Sequence, residues 1–279
     1  MDEEGSRSLC SNRRDPKKRG RTLNYLINLD AWLSALVFAA LMIVGWGLGL
    51  TLRFVDQGGE TKSTRIEDSA LALFGLLLAF CFSGAAGRYE ARKELLRDDV
   101  MAIAEFSDVG SMLAQPERSE LHQEIQRYVQ QRIRFGQMRP DAPEMQQLMA
   151  EGESSQARMR SIIQRIVAEQ KTPTLHAPLL NAFNGLTGAD AKRLHGVRDQ
   201  INGNILLMLV LFGVFTTLTM GRLQEPGSRY GLLRISFYIE LVALVYFVLV
   251  DLEQPRRGLI LVNQGPMYEL SMALQSQKP

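Results

Sequence analysis

The side chains that could do chemistry are few and scattered along the 279 residues of this chain. The three histidines, His122, His176 and His195, share no spacing typical of a metal site. Cys10 and Cys81 are too few for a disulfide framework and match no metal-binding motif. The sequence has no nucleophile elbow, no Gly-rich phosphate-binding loop and no HExxH motif. We therefore predict no enzyme activity, no metal site and no cofactor.

Glu240 is the one ionisable residue with unusual surroundings, because it lies near the middle of the apolar stretch Gly231–Val250. An ionised group at such a position in a membrane costs about 2.5–3.5 kcal/mol or more, so it should face a partner, a subunit interface or water. Two interpretations stay open. Glu240 is a permeation or proton-linked site, or it is a protonated carboxyl group hydrogen-bonded to Thr216, Thr217 or Tyr238. A carboxylate that lined an anion path would repel the anion.

Four apolar blocks are the elements that must position these residues. A helix needs about 20 predominantly apolar residues to cross the roughly 30 Å of hydrocarbon in a bilayer. The mean hydropathy of −0.06 conceals the blocks, since the rest of the chain is strongly polar. We predict an all-α, polytopic membrane protein with four transmembrane helices and a cytoplasmic helical domain between the second and third. The blocks are Ala31–Leu52, Ser69–Gly87, Ile205–Met220 and Gly231–Val250.

Basic residues predict the orientation in the membrane. Lys and Arg are dense before the first block, after the second, before the third and after the fourth, and they are sparse in the two remaining loops. Because cytoplasmic loops carry the excess of these residues, both termini and the long middle segment should be cytoplasmic. We expect a multi-pass protein of the cell membrane, in contact with membrane lipid. The formal net charge of +2 gives no support to a nucleic-acid binder.

The chain thus divides into five predicted segments. They are a basic cytoplasmic tail at 1–30, transmembrane helices 1 and 2 at 31–88, a cytoplasmic helical domain at 89–200, transmembrane helices 3 and 4 at 201–251, and a cytoplasmic C-terminal tail at 252–279.

Apolar residues at three-to-four spacing predict three helices in the cytoplasmic domain. One begins after Pro116, a second carries Met159 to Val167, and a third follows Pro178 with an interruption at "LTGAD". Their apolar faces are narrow. They would pack against one another, against the cytoplasmic end of the second span, or against a neighbouring subunit.

The stretch "LLLAFCFSGAAGRYEARKELLR", residues 76–97, predicts one helix that leaves the membrane and continues into water. Asp68 is suited to cap its N-terminus. No proline follows as far as about Leu113, and most residues are good helix formers.

Two motifs resemble those of bestrophins. "AFCFSGAAGRYEARK" is similar to the end of the pore-lining second helix of bacterial bestrophins, with "EARK" one residue early. After the fourth block, "LVDLEQPRRGLILV" resembles the ending found in the bacterial bestrophin-like family, with Arg256 where bestrophins have a Phe. The residues that carry the two motifs are Phe80, Arg88, Glu90, Arg92, Asp251, Pro255 and Gly258.

The resemblance implies a homo-oligomeric, pentameric channel that passes inorganic anions through a pore lined by the second helix. It also implies a constricted neck formed by Ala72, Leu76 and Phe80, whose i, i+4, i+8 spacing puts them on one helix face. A hydrophobic constriction can gate by dewetting, although Ala72 would leave one ring wide. No acidic run follows Gly258, so calcium control is not implied.

Other functions stay open at this point. A protein of the same fold could be a non-conducting scaffold or sensor whose cytoplasmic helices bind a partner, with Leu76 and Phe80 only packing against the first span. A secondary transporter is a third possibility, but it usually shows internal repeats and Gly- or Pro-broken spans. The only such sign is "GWGLGL", Gly45–Leu50, whose glycines permit close helix approach.

Overall fold

The chain is described by a computed structural model over residues 30–55, 64–139, 142–198, 203–224, 229–254, 256 and 258–277. The described residues are helical or irregular, without a strand. Within these described ranges, four helices are long and apolar enough to span a membrane, which confirms the predicted all-α membrane fold. The helices are α1 (Ala31–Val55), α2 (Thr64–Ser111), α3 (Glu117–Gln137), α4 (Met145–Ala168), α5 (His176–Arg198), α6 (Gly203–Leu223), α7 (Arg229–Glu253) and α8 (Gly265–Ser276), with a 3₁₀ turn at Pro173–Leu175.

The helices form two compact units. Unit 1 comprises Met1–Leu77 with Asn202–Phe247, and unit 2 comprises Leu78–Ile201 with Val248–Pro279. The chain therefore passes between the units within α2 and within α7.

Glycines bring α1 and α6 of unit 1 into backbone contact. A Cβ atom added at Gly49 would lie 2.1 Å from the carbonyl oxygen of Leu218, and one at Gly221 would lie 2.3 Å from that of Trp46. Lipid is as apolar as the helix surfaces, so helices in a membrane associate through such close packing rather than through a hydrophobic driving force. Gly45 and Gly49 of "GWGLGL" thus serve close helix approach. Gly47, between them, faces open space.

Aromatic and polar side chains add to the packing of unit 1. The rings of Phe38 on α1 and Tyr246 on α7 lie 4.5 Å apart. The indole nitrogen of Trp46 donates a 2.8 Å hydrogen bond to Oε1 of Gln224, at the end of α6. Buried Trp nitrogens usually find such a partner, because an unpaired donor costs free energy in an apolar environment.

Helix α2 runs for 48 residues without a break, as predicted. It begins at Thr64, so Asp68 lies inside the helix and the prediction that Asp68 is its N-cap was wrong.

Unit 2 has a hydrophobic core made by α3, α4, α5, α8 and the C-terminal half of α2. The predicted apolar faces of α3 and α4 lie in this core, so two of the three proposed packing partners, the neighbouring helices and the end of α2, are observed. Large side chains that are fully buried in this core include Ile103, Phe106, Leu121, Ile125, Tyr128, Met159, Ile163, Ile166 and Leu179.

Two parts of unit 2 differ from the prediction. Helix α5 begins at His176, before Pro178, and continues through "LTGAD" without interruption, because proline is tolerated in the first turn of a helix. The segment expected to be a C-terminal tail contains α8, which buries Met267 and Leu274 in the core.

Candidate pore helix and arginine-rich site

The three candidate neck residues are exposed on α2 in the single chain. Leu76 is 53% exposed and Phe80 is 68% exposed, and Ala72 is exposed as well. Other apolar residues of the same helix are buried, among them Phe74 and Cys81. The candidate neck residues are therefore not core residues of the chain, and they are available to face a lumen, a second copy or lipid.

Within unit 2, the face of α2 that carries Phe80 becomes acidic towards the C-terminal end of the helix. At about 100° per residue, Glu94, Asp98 and Glu105 lie within about 40° of Phe80 around the helix axis, and all three are exposed. Glu90 is also exposed, but its carboxylate pairs with Lys93 at 3.0 Å. A row of carboxylates on one face attracts cations and repels anions. This row of carboxylates was not predicted from the sequence, although the four-residue spacing of Glu90, Glu94 and Asp98 was visible there.

The two motifs that carry the resemblance contact each other in unit 2. Arg88 donates from Nε to Oε1 of Glu253 at 2.7 Å, and the Glu253 side chain is buried. Arg92, one turn further along α2, donates from Nη1 to the carbonyl oxygen of Leu252 at 2.9 Å. The end of α7 is thus tied to the part of α2 that follows the apolar stretch.

Asp251 and Gly258 work together at the turn after α7. The two carboxylate oxygens of buried Asp251 accept hydrogen bonds from the backbone nitrogens of Leu259 at 2.9 Å and Ile260 at 2.8 Å. A Cβ atom at Gly258 would lie 2.2 Å from Oδ1 of Asp251, so a larger residue would displace this carboxylate. Pro255, also assigned to this motif, lies outside the described residues.

A buried ionic cluster lies in the middle of unit 2. Asp99 on α2 is 0% exposed, and its Oδ2 accepts from Nη2 of Arg132 at 2.8 Å and from Nη1 of Arg193 at 2.6 Å. Arg132 also forms an ion pair with Asp190. The cluster joins α2, α3 and α5 through charged hydrogen bonds, which are stronger than neutral ones.

The pKa values of the two arginines reflect these surroundings. Burial by itself lowers the pKa of Arg132, but the carboxylates of Asp99 and Asp190 outweigh burial and raise that pKa above its usual value. Burial and the positive charge of Arg132 lower the pKa of Arg193. Arg132 lies on the apolar face of α3, at the three-to-four spacing of its buried residues. That spacing was the signal that could have identified Arg132 as buried.

A comparison with protein families matches the chain to the Bestrophin-like domain over residues 69–267, which is more than half of its length. The chain belongs to the bestrophin-like family. The kinship predicted from the two motifs is thereby confirmed. A search of curated proteins gives no match.

The bestrophin-like fold is also found in solved structures. Two crystal structures of variants of a bacterial bestrophin homologue from Klebsiella pneumoniae resemble this chain. One has a TM-score of 0.64 at 11% identity and covers 92% of this chain and 100% of that chain. The other has a TM-score of 0.62 at 13% identity and covers 87% of this chain and 98% of that chain. At these identities the likeness shows the fold alone.

Glu240 of this bestrophin-like protein is exposed on α7 in the single chain. The hydroxyl groups of Thr216 and Thr217 donate to carbonyl oxygens of their own helix, at Phe212 and Gly213. Neither hydroxyl therefore donates to Glu240 in the single chain. Whether Glu240 serves permeation or forms a structural hydrogen bond therefore stays a prediction.

The histidines have separate surroundings. The Nε2 atom of His122 lies 3.0 Å from Nε2 of Gln126, that of His176 lies 2.6 Å from the carbonyl oxygen of Lys171, and His195 is exposed. In the part of the chain that the structure describes, no group of three His, Cys, Asp or Glu side chains could hold a metal ion.

Proposed function

We propose that this bestrophin-like protein is a homo-oligomeric ion channel of the cell membrane, with α2 lining the pore and both termini in the cytoplasm. The exposed apolar face at Ala72, Leu76 and Phe80 is the observation that carries the proposal. In a ring of subunits around a symmetry axis, these side chains would form stacked apolar rings. Such a neck can close by expelling water. The resemblance to bestrophins supports five subunits.

The conducted ion has two candidates. The resemblance supports inorganic anions, chloride among them. Cation conduction is favoured by the exposed carboxylates of Glu94, Asp98 and Glu105, since acidic rings are typical of cation channels and basic rings of anion channels.

Ion flux from liposomes tests whether the protein conducts. We expect efflux of chloride or of potassium to rise in the double variant Leu76→Ala, Phe80→Ala, because smaller rings widen the neck. Phe82→Ala is the matched control: Phe82 is an exposed phenylalanine on the same helix, about 160° away from Phe80 around the axis. Flux of the control should stay at the level of the natural protein.

Two results would count against a channel lined by α2. An equal rise of flux in Phe82→Ala would show that the effect is not specific to the neck residues. No flux from any variant, with the proteins shown to be folded and oligomeric, would favour the non-conducting scaffold or sensor, whose cytoplasmic helices bind a partner.

The reversal potential across a planar bilayer with a potassium chloride gradient distinguishes the two ions. A potential near that of chloride supports anion conduction, and one near that of potassium supports cation conduction. In the second case, the double variant Glu94→Gln, Asp98→Asn should move the potential towards zero.

A further inference from the structure

Unit 2 contains a cavity of about 160 Å³ at the contact of the two motif segments. Among the described residues that line it are three arginines, Arg92, Arg193 and Arg256, and no aspartate or glutamate. The rest of the wall is mainly apolar and includes the rings of Tyr89 and Phe135. Because a cavity of about 150 Å³ holds a benzene-sized molecule, this cavity has room for a small organic ligand.

Two of these arginines are held by the fold. Arg193 donates to Asp99 at 2.6 Å and, from Nη2, to Oε1 of Gln264 at 3.1 Å. Arg92 donates to the carbonyl oxygen of Leu252 at 2.9 Å. These bonds fix both guanidinium groups at the cavity wall, so their positive charges are preorganised.

Arg256 is bound differently. Its Nη1 donates to the carbonyl oxygen of Phe135 at 2.7 Å, and its guanidinium carbon lies 4.4 Å from the centroid of the Phe135 ring. Its Nε atom is buried and has no hydrogen-bond partner among the described residues. Arg256 lines the cavity, and its guanidinium group retains a donor that no described residue accepts.

Several features make Arg256 unfavourable for the folded chain. Its φ angle is 68°, a left-handed backbone conformation that residues with a Cβ atom rarely adopt. Burial, together with the positive charges of Arg193 and Arg132, lowers the pKa of Arg256 to about 10. Backbone strain and a perturbed charge at one residue are typical of ligand sites, where the free energy of ligand binding offsets both.

We infer that this cavity binds a small organic anion, namely a carboxylate on a compact apolar body. Arg256 holds the carboxylate with Arg92 and Arg193 beside it, because a planar guanidinium group matches a carboxylate with two parallel hydrogen bonds. The apolar body packs against Phe135 and its aliphatic neighbours. An inorganic anion would satisfy the charge but would leave the apolar wall unused. The site does not depend on ion conduction.

Thermal melting of the full-length protein in detergent tests the ligand class. Sodium benzoate is the probe, and the comparison compounds at equal ionic strength are benzamide, which keeps the ring without the charge, and sodium phosphate, which keeps the charge without the ring. We expect a saturable rise in Tm with benzoate only. No rise with benzoate, or an equal rise with benzamide or phosphate, would overturn the inference.

Variants test the role of Arg256. Arg256→Gly removes the guanidinium group and also relieves the left-handed backbone, so the variant should fold with an unliganded Tm at least as high as that of the natural protein. We expect its Kd for benzoate, measured by calorimetry, to rise about tenfold or more, as for the loss of charged hydrogen bonds.

Arg97→Ala is the matched charge control, since Arg97 is exposed on α2 and does not line the cavity. Its Kd for benzoate should not change. An unchanged Kd in Arg256→Gly, or an equal loss of affinity in Arg97→Ala, would overturn the assignment of Arg256 as the carboxylate-binding residue.

Discussion

Replacing Asp99 by Asn should destabilise unit 2 strongly. The substitution keeps the shape of the side chain and removes the negative charge that lies between Arg132 and Arg193. Asp99 is 0% exposed, and the two guanidinium groups have side-chain exposures of 7% and 8%. Water therefore cannot replace the lost carboxylate.

The size of the effect follows from the number of charges left without a counter-charge. Arg132 retains its ion pair with Asp190, whereas Asp99 is the carboxylate that pairs with Arg193. Removing one partner of a buried ion pair costs about 3–5 kcal/mol. In a protein of this size that corresponds to a fall in Tm of roughly 6–20 °C. Asp190→Asn should cost less, because Arg132 keeps Asp99 and the Asp190 side chain is 15% exposed.

Far-UV circular dichroism in one detergent can compare the melting of these variants. Asp98→Asn is the matched control, since Asp98 is the exposed neighbour of Asp99 and its replacement should change the free energy of unfolding by no more than about 0.5 kcal/mol. Hydrogen exchange should locate the loss of protection in α3 and α5. A Tm of Asp99→Asn within about 2 °C of the natural protein, or an equal loss in the control, would refute the reasoning.

Three further predictions concern packing, the turn after α7 and pH. Gly49→Ala should lower the free energy of unfolding by about 1–3 kcal/mol, because the new Cβ would meet the Leu218 carbonyl oxygen. Gly47→Ala, in open space, should be neutral or stabilising by up to about 1 kcal/mol. Thermal melts of the two variants test this difference. Gly258→Ala should displace the Asp251 carboxylate and lose roughly 1.5–3 kcal/mol, measured in the same way, and a variant as stable as the natural protein would contradict the proposed steric conflict. The hydrogen bond from Lys171 lowers the pKa of Glu117 below 4.5. The stabilisation by this pair should therefore be complete above about pH 4.5 and be lost on acidification through the lower, folded-state pKa. Melts of Glu117→Gln against the natural protein across pH should differ at neutral pH and converge at acid pH.

The sequence predicted the elements that depend on local pattern. The four apolar blocks, the uninterrupted α2 and the apolar face of α3 each repeat a hydrophobic period that a single helix makes visible. Membership of the bestrophin-like family could also be predicted, because the residues that carry the resemblance lie in two short segments of the sequence. The structure adds that these segments meet through Arg88 and Glu253, which the sequence could not give.

The features that were missed depend on pairing over long sequence distances. Asp99 lies 33 residues from Arg132 and 94 residues from Arg193, so no local pattern joins the three. Helix α8 was missed for a related reason. It has 12 residues, and its buried side chains, Met267 and Leu274, gain a partner only where the core of unit 2 is assembled.

In the proposed channel, the choice between anions and cations depends on which residues of α2 form the neck and which form the rest of the proposed pore-lining face. Ala72, Leu76 and Phe80 are uncharged, so a neck made of them controls the passage of water and ions without favouring either sign of charge. Selectivity must then come from charged groups elsewhere on the path. In the proposed channel, the exposed residues Glu94 and Asp98 on the Phe80 face of α2 in unit 2 are candidates for these groups. The expectation of anion conduction has family resemblance as its support, whereas the charges on this helix favour cations.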